Sequence, residues 1–378
     1  MSDAVNRLYN HIYTNHWNGA SVTGPDPGIR FNSRIGRFVK SYSNFFPWAD
    51  NLTYLQGQGY WIMANWLIAD LMDDVKFRDI ALACSNYIVE IQRQEGYWEY
   101  PNIEWKGRVA TVEGCFATLG LLESYRKSGD KIYLNAAKKW FRFLNYEIGF
   151  LKDGEYLAAN YFAKPGPAVP NISAMVLNAI GKLMHLTGDN QYTKKCDAMV
   201  AWLNHVQLET GELPYIVEKT QGIKGDRRHF LCYQYNAFEF LDLLEYYRFT
   251  KDKAILPVLE KLGHYLSTGI TETGSANFSC HHVVPEVTYY TTVLATALSQ
   301  AEEIGLEKYT YLAERAYNRV LHLQKYDGNF QFYSQKNYIF ISDRRSYPRY
   351  LSMILFHLLL EYKKLVMKQT QDALVIQQ

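Results

Sequence analysis

One repeated unit constrains this chain more than any other feature. A helix ends in Gln or a near equivalent, and an acidic or glycine turn, an aromatic stretch and a polar loop follow. A second, more apolar helix then closes at a Gly-Asp or Lys-Asp turn. The clearest copy starts at Ile91-Gln92-Arg93-Gln94-Glu95-Gly96-Tyr97-Trp98-Glu99-Tyr100 and leads into a helix expected over Thr111–Lys127, closing at Gly129-Asp130. A second has Lys152-Asp153-Gly154-Glu155-Tyr156 and the helix Asn171–Leu186, closing at Gly188-Asp189. A third has Glu209-Thr210-Gly211-Glu212 and the helix Asn236–Phe249, closing at Lys251-Asp252. The last two have Thr273-Gly274 with a helix from Glu286, and Gln324-Lys325-Tyr326-Asp327-Gly328 with a helix from Pro348. Successive apolar helices begin near Gly57, Glu113, Asn171, Asn236, Glu286 and Pro348, at steps of 56, 58, 65, 50 and 62 residues. Two helices of about 15 residues with their connections fill each step.

Local patterns support the helices. Lys131–Tyr146 places Ile132, Ala136, Trp140, Phe143 and Leu144 at helical spacing. Gly129 and Gly188 fit helix C-termini, where a left-handed residue is needed. Pro285 and Pro348 fit first helical turns. Thr111–Lys127 and Asn171–Leu186 are apolar nearly all round and should be buried, whereas Gln191–Gln207 and Glu307–Gln324 carry one charged face and should lie outside. The expectation is an all-α single domain over residues 1–378, an inner ring of six helices inside an outer ring of six. A helix near Ser2–Asn15 closes it against the C-terminal helix. An open solenoid is the alternative, disfavoured because neither terminal helix has a capping polar face.

Composition narrows the function classes. A net charge of +2 gives no field favouring nucleic acid or an anionic membrane. No apolar run reaches the ~18 residues of a membrane span, and the N-terminus has no signal-peptide pattern, so a cytoplasmic location is expected. Five scattered cysteines (Cys84, Cys115, Cys196, Cys232, Cys280) read as reduced thiols. The 31 Tyr and 8 Trp suit a wide, half-wet cavity wall.

In such a ring the long loops entering the inner helices gather at one end, and the short Gly-Asp turns at the other, where little chemistry is expected. Loops on a rigid scaffold are the usual home of function. The candidate binding residues are Gln56, Trp98, Glu99, Arg108, Asn160, Tyr161, Arg227, Arg228, His282, Arg344, Arg345, Tyr347 and Arg349. Asp-Arg-Arg occurs twice, at 226–228 and 343–345, 117 residues apart, close to two units. Paired guanidiniums bind carboxylate, sulfate or phosphate bidentately. Acid–base work needs titratable groups across the substrate; Glu113, His229, Tyr233, Tyr235 and Glu286 are the candidates. Capping of a helix start accounts equally well for Glu113 and Glu286. No cofactor is expected; the alternative is zinc on Cys232, Cys280 and His281, a three-ligand set with an open position.

The whole chain resembles the α/α-toroid superfamily of six-hairpin glycosidase-like folds. Tyr54-Leu55-Gln56-Gly57-Gln58-Gly59 is similar to a Gln-Gly-Gln stretch in the toroid domain of glucuronyl C5-epimerases, and Pro165–Asn178 resembles their loop-to-helix entry. Toroid proteins of bacterial exopolysaccharide clusters have the same size. These resemblances imply polysaccharide biosynthesis or modification on a uronic-acid-bearing glycan or its precursor, by epimerase, lyase or glycosidase chemistry. Gln92, Gly96 and Trp98 resemble the Gln-Trp repeat of squalene-cyclase-like enzymes, whose Asp-x-Asp-Asp motif is missing. Cys232-Tyr233 and Cys280-His281 resemble the zinc pairs of lanthipeptide cyclases, with Gln234 and His282 where glycines normally follow; prenyltransferase β subunits also have a Cys-Tyr pair. The functional alternatives are therefore a zinc-dependent cyclase or prenyl-type enzyme and a non-catalytic glycan-binding toroid.

Overall fold

The structure, a computed structural model, describes residues 2–28, 39, 51–102, 105, 107–164, 166–217, 232–278, 286–334 and 345–376. Among the described residues the helices alternate between two concentric rings. The inner ring is α2 (Leu55–Met72), α4 (Thr111–Ser128), α6 (Pro170–Thr187), α8 (Cys232–Thr250), α10 (Thr288–Gln300) and α12 (Pro348–Ile376). The outer ring is α1 (Asp3–Asn15), α3 (Val75–Glu90), α5 (Lys131–Phe143), α7 (Thr193–Val206), α9 (Leu256–Leu266) and α11 (Thr310–His322). Each inner helix packs on the next and α12 returns to pack on α2, while α1 lies against α12. The ring is therefore closed, and the solenoid is excluded.

A hydrogen-bonding device explains the sequence repeat. Gln92 Nε2 donates to the Gly96 carbonyl and to the Ala136 carbonyl of α5, both at 2.9 Å. Gln207 does the same to Gly211 (2.8 Å) and to Val258 of α9 (3.0 Å). Gln324 does it to Gly328 (3.2 Å) and to Ala4 of α1 (2.7 Å). Each Gln thus ties one outer helix to the next, and the last copy treats the N-terminal helix as its successor. The turn glycines are held at positive φ, +106° at Gly96 and +85° at Gly328. A Cβ there would come within 2.5 Å of the Lys139 carbonyl oxygen or 2.2 Å of that of Arg7. The likeness to the Gln-Trp repeat is thus a property of the ring.

The other end is built from left-handed caps. Gly129 (φ +74°) and Gly188 (φ +70°) end α4 and α6 as expected, and Asp73 and Lys251 take the same conformation after α2 and α8. The aspartates that follow, Asp74, Asp130 and Asp252, accept from backbone N–H groups two residues on and start the next element. The Gly-Asp signature is a C-cap joined to an N-cap.

The Gln56–Gly59 stretch sets the spacing of α2. A Cβ on Gly57 would lie 3.1 Å from Arg349 Cα on α12, and one on Gly59 2.5 Å from the Phe116 carbonyl oxygen on α4. Gln58 between them pairs with the Val22 N–H (2.8 Å) and carbonyl (2.6 Å).

Several expectations change in detail. The second unit forms a two-stranded hairpin, β1 (Phe150–Asp153) with β2 (Tyr156–Ala159), after a π-helical turn at Leu144–Ile148. The helix expected from Asn236 begins at Cys232, and the one from Glu286 begins at Thr288. Cys84, Cys115 and Cys196 are buried free thiols, but Cys232 is disulfide-bonded. That corrects the reading of five reduced thiols, because spacing along the chain does not say which sulfurs the ring brings together. Among the described residues no helix is long and apolar enough to cross a membrane.

Candidate active site at the mouth of the ring

The first turns of the inner helices, with the loops before them, bring one acid–cation–tyrosine cluster together. Arg349, in the first turn of α12, is its hub. Its guanidinium meets Asp26 at 2.8 Å (Nε) and 3.0 Å (Nη2). It lies over the rings of Tyr54 (4.2 Å) and Tyr350 (4.5 Å), and Nη2 also donates to the Tyr350 hydroxyl. Asp26 is fully buried, and its Oδ1 also accepts from the Gly28 N–H at 2.8 Å, which fixes the Pro25–Gly28 turn. Burial opposes the charge on this guanidinium. Asp26 and the surrounding tyrosines instead hold the Arg349 pKa well above its usual value.

Glu113, in the first turn of α4, faces the same hub and is 1% exposed. Its Oε2 accepts from the Leu55 N–H at 2.5 Å, and its carboxylate also takes a bond from the Gln56 backbone. It caps α2 from a neighbouring helix, a role that Tyr54 at the N-cap cannot fill. Burial is the strongest influence on this carboxyl and lifts its pKa to about 7, against the pull of Arg349 and the two N–H bonds. At neutral pH it is poised between acid and base.

Tyrosines line the rest. Tyr54 stands edge-on to Tyr100 at 5.8 Å, Tyr215 meets Tyr235 at 4.9 Å, and Tyr289 lies 4.4 Å from Tyr350 and 4.7 Å from Tyr290. Burial pushes the Tyr161 hydroxyl up to about 12 and the Tyr235 hydroxyl well above its usual value. These hydroxyls stay protonated and serve as donors. Tyr161, Tyr235, Tyr350 and Arg349 are surrounded by protein yet keep part of their surface open.

Of the residues singled out in the sequence, Glu113, Gln56, Tyr161, Tyr235 and Arg349 meet here. Arg345 donates to the Tyr347 hydroxyl at 2.8 Å, and Tyr347 is buried against Phe332. Arg108 is exposed over the rings of Trp105 and Phe162, 5.5 Å from each.

Others make their contacts elsewhere. Glu286 turns to the outer ring and is held by Arg319 at 2.9 and 2.7 Å and by Ser334; despite burial, these partners lower its pKa. Tyr233 stacks on Tyr265 at 4.9 Å and meets Thr268 at 3.0 Å, against α9. Trp98 is core, donating to the Ile88 carbonyl at 2.9 Å and packing on Trp140. Glu99 pairs with Arg93 at the surface (2.6 Å), and Asn160 Nδ2 donates to the Ile148 carbonyl (2.8 Å), while its buried Oδ1 has no hydrogen-bond partner. Arg227, Arg228, His229, Cys280, His281, His282 and Arg344 lie outside the described residues. Cys232, in a disulfide, offers no thiolate for zinc, and among the described residues no group of three or more His, Cys, Asp or Glu is arranged for a metal.

Sequence reasoning missed Asp26, Tyr100, Tyr215, Tyr289 and Tyr350. The turn-rich Gly24-Pro25-Asp26-Pro27-Gly28 and the position of Tyr350 beside Arg349 were the available signals. The short-turn end also differs from expectation. Glu123, Lys182, Asn178 and Asp242 place charged and polar groups around a cavity there.

A family model described as the catalytic domain of GH127 β-L-arabinofuranosidase matches residues 171–348. Cellobiose 2-epimerase from Bacillus thermoamylovorans superposes with a TM-score of 0.69 at 12% identity, over 96% of this chain and 100% of that one. The chain is an α/α toroid of the six-hairpin glycosidase-like fold. The toroid is also similar to a sugar epimerase from a ruminal bacterium (TM-score 0.69, 13% identity, 94% of this chain and 98% of that one). An unsaturated glucuronyl hydrolase specific for heparin superposes with a TM-score of 0.67 at 13% identity, over 96% of each chain. Among curated proteins the toroid has no match.

Proposed function

We propose that this toroid is a carbohydrate-active enzyme that moves protons with Glu113 on a glycan held in the tyrosine-lined recess. The observation that carries the reading is the Glu113 carboxyl, buried beside Arg349 with a pKa of about 7. A proton-transfer group works best with its pKa near the working pH, and such groups contribute on the order of 10²–10⁴ in rate. The tyrosine faces suit sugar rings, and their hydroxyls supply donors to ring hydroxyls. The family match to a β-L-arabinofuranosidase domain and the fold shared with sugar epimerases and a heparin-specific hydrolase support the carbohydrate class.

The finer reading is an anionic, uronic-acid-bearing glycan or its precursor, processed during polysaccharide biosynthesis by hydrolysis, lysis or epimerisation. Support comes from Arg108 at the exposed rim and from the two Asp-Arg-Arg stretches in the sequence. Arg349 adds less, since Asp26 already neutralises it. A cytoplasmic location belongs to the same proposal, and the Cys232 disulfide weighs against it.

The experiment is a product assay on purified protein with arabinofuranosides, cellobiose-type disaccharides and uronic-acid disaccharides, followed by chromatography and NMR. Turnover of the uronic-acid substrates above the neutral ones supports the full reading. Turnover of neutral sugars alone removes the anionic preference, and no turnover of any of them overturns the enzyme.

A further inference from the structure

A cavity of about 440 Å³ lies inside the ring toward the short-turn end. That volume is in the range of small-molecule sites. All six inner helices contribute to its wall, and on four of them the lining residue nearest the mouth is aromatic: Tyr60, Phe116, Phe238 and Phe356. Tyr60 lies 5.1 Å from Phe116 and 5.6 Å from Phe356, so an aromatic floor separates this cavity from the Glu113 cluster.

Among the polar side chains on the wall, Asp242 lacks a charge partner and His357 lacks a hydrogen bond. Asp242 accepts from Asn178 Nδ2 at 2.8 Å, and among the described residues it forms no ion pair. The neighbouring cations Lys182 and Arg126 are both taken by Glu123. Burial lifts the Asp242 carboxyl to about 7, with Glu245 adding to the shift and Asn178 opposing it. His357 is 2% exposed and lines the same cavity, and neither ring nitrogen has a hydrogen-bond partner. Burial lowers its pKa to about 3, so the ring is neutral and offers one donor and one acceptor. Tyr60 joins the two groups, with its ring 5.7 Å from His357 and its hydroxyl within reach of the Asp242 charge.

We propose that this cavity binds a small protonated amine with an apolar body. Asp242 takes the ammonium and the aromatic floor covers the apolar body. An apolar ligand would leave the carboxyl without a counter-charge, which is costly where it is partly shielded from water. An anion would meet Asp242 directly, with Lys182 already engaged and the other lining cation without an acid partner, Lys363, exposed to solvent. Ammonium over aromatic faces is favourable in its own right. The site is separate from the Glu113 cluster and does not depend on its chemistry.

The test is calorimetric titration of the full chain with phenylethanolamine, beside its neutral analogue phenylethylene glycol. Saturable binding of the amine, roughly tenfold or more tighter than the glycol, is expected from one charge-assisted hydrogen bond. Asp242→Asn should remove that preference, Leu119→Trp should block both ligands by filling the apolar wall, and Glu113→Gln should bind as the wild type does. The Leu119 variant and the neutral analogue keep the test decisive if Asp242→Asn fails to fold. Equal affinity for amine and glycol, undiminished binding by folded Asp242→Asn or Leu119→Trp, or no saturable binding at millimolar amine would overturn the proposal.

Discussion

Asp26 and Arg349 stand 323 residues apart and meet inside the protein. Removing one partner leaves the other charge buried and unpaired, so Asp26→Ala should cost about 3–5 kcal/mol in a denaturant titration. Asp26→Asn should keep more of the fold and also move Glu113. The Asp26 charge raises the Glu113 pKa, so its loss, with Arg349 freed, should shift any activity inflection below pH 7. Glu113 itself links stability to pH. Its folded pKa is raised, so its contribution is complete below its ordinary value of 4.5 and is lost as pH rises through about 7. Glu113→Gln should therefore flatten stability between those limits, read by urea titration at several pH values. At this scale the sequence was partly legible. Glu113 and Arg349 stood out as polar groups at inner-helix starts. Glu286 and Tyr233 occupy similar positions but turn to the outer ring, and Asp242 and His357 sit mid-helix, where spacing does not separate a cavity face from a packed one.

The turns between elements carry two kinds of glycine. Gly96 combines φ +106° with a Lys139 carbonyl 2.5 Å from where a Cβ would sit, whereas Gly188, at φ +70°, faces open space. Gly188→Ala should cost about 1 kcal/mol through backbone strain alone, and Gly96→Ala at least twice that, because α5 must also move. Thermal melts of the two variants compare them directly. These elements were the most legible part of the chain, since a Gln at a helix end and a glycine four residues on answer a local backbone requirement that recurs unit by unit. The β1–β2 hairpin broke the pattern because its unit lacks the Gln and makes its turn with a strand pair instead.

Closure of the whole molecule rests on α1 serving as the last outer helix. Gln324→Ala removes the bonds to Ala4 and Gly328, so amide exchange in α1 should quicken while α4 and α6 stay protected. The six hairpins were legible from repeat spacing, and closure was read from the terminal helices, neither of which was judged to have a solenoid cap's polar face. The ring's polarity was only half legible: the mouth holds the acid–cation cluster as expected, but the opposite end holds Asp242 and the Glu123–Lys182 pair as well. Long-range pairings such as Asp26 with Arg349 exist only once the ring closes, and no local pattern encodes them. The central claim is that the ring assembles a proton-transfer centre at Glu113. The most direct measurement is the pH–rate profile of wild type and folded Glu113→Gln on the sugar the wild type turns over. The account predicts a wild-type inflection near pH 7, and in the variant a rate lower by about a hundredfold or more with that inflection gone. A variant with the wild-type rate and profile would contradict it.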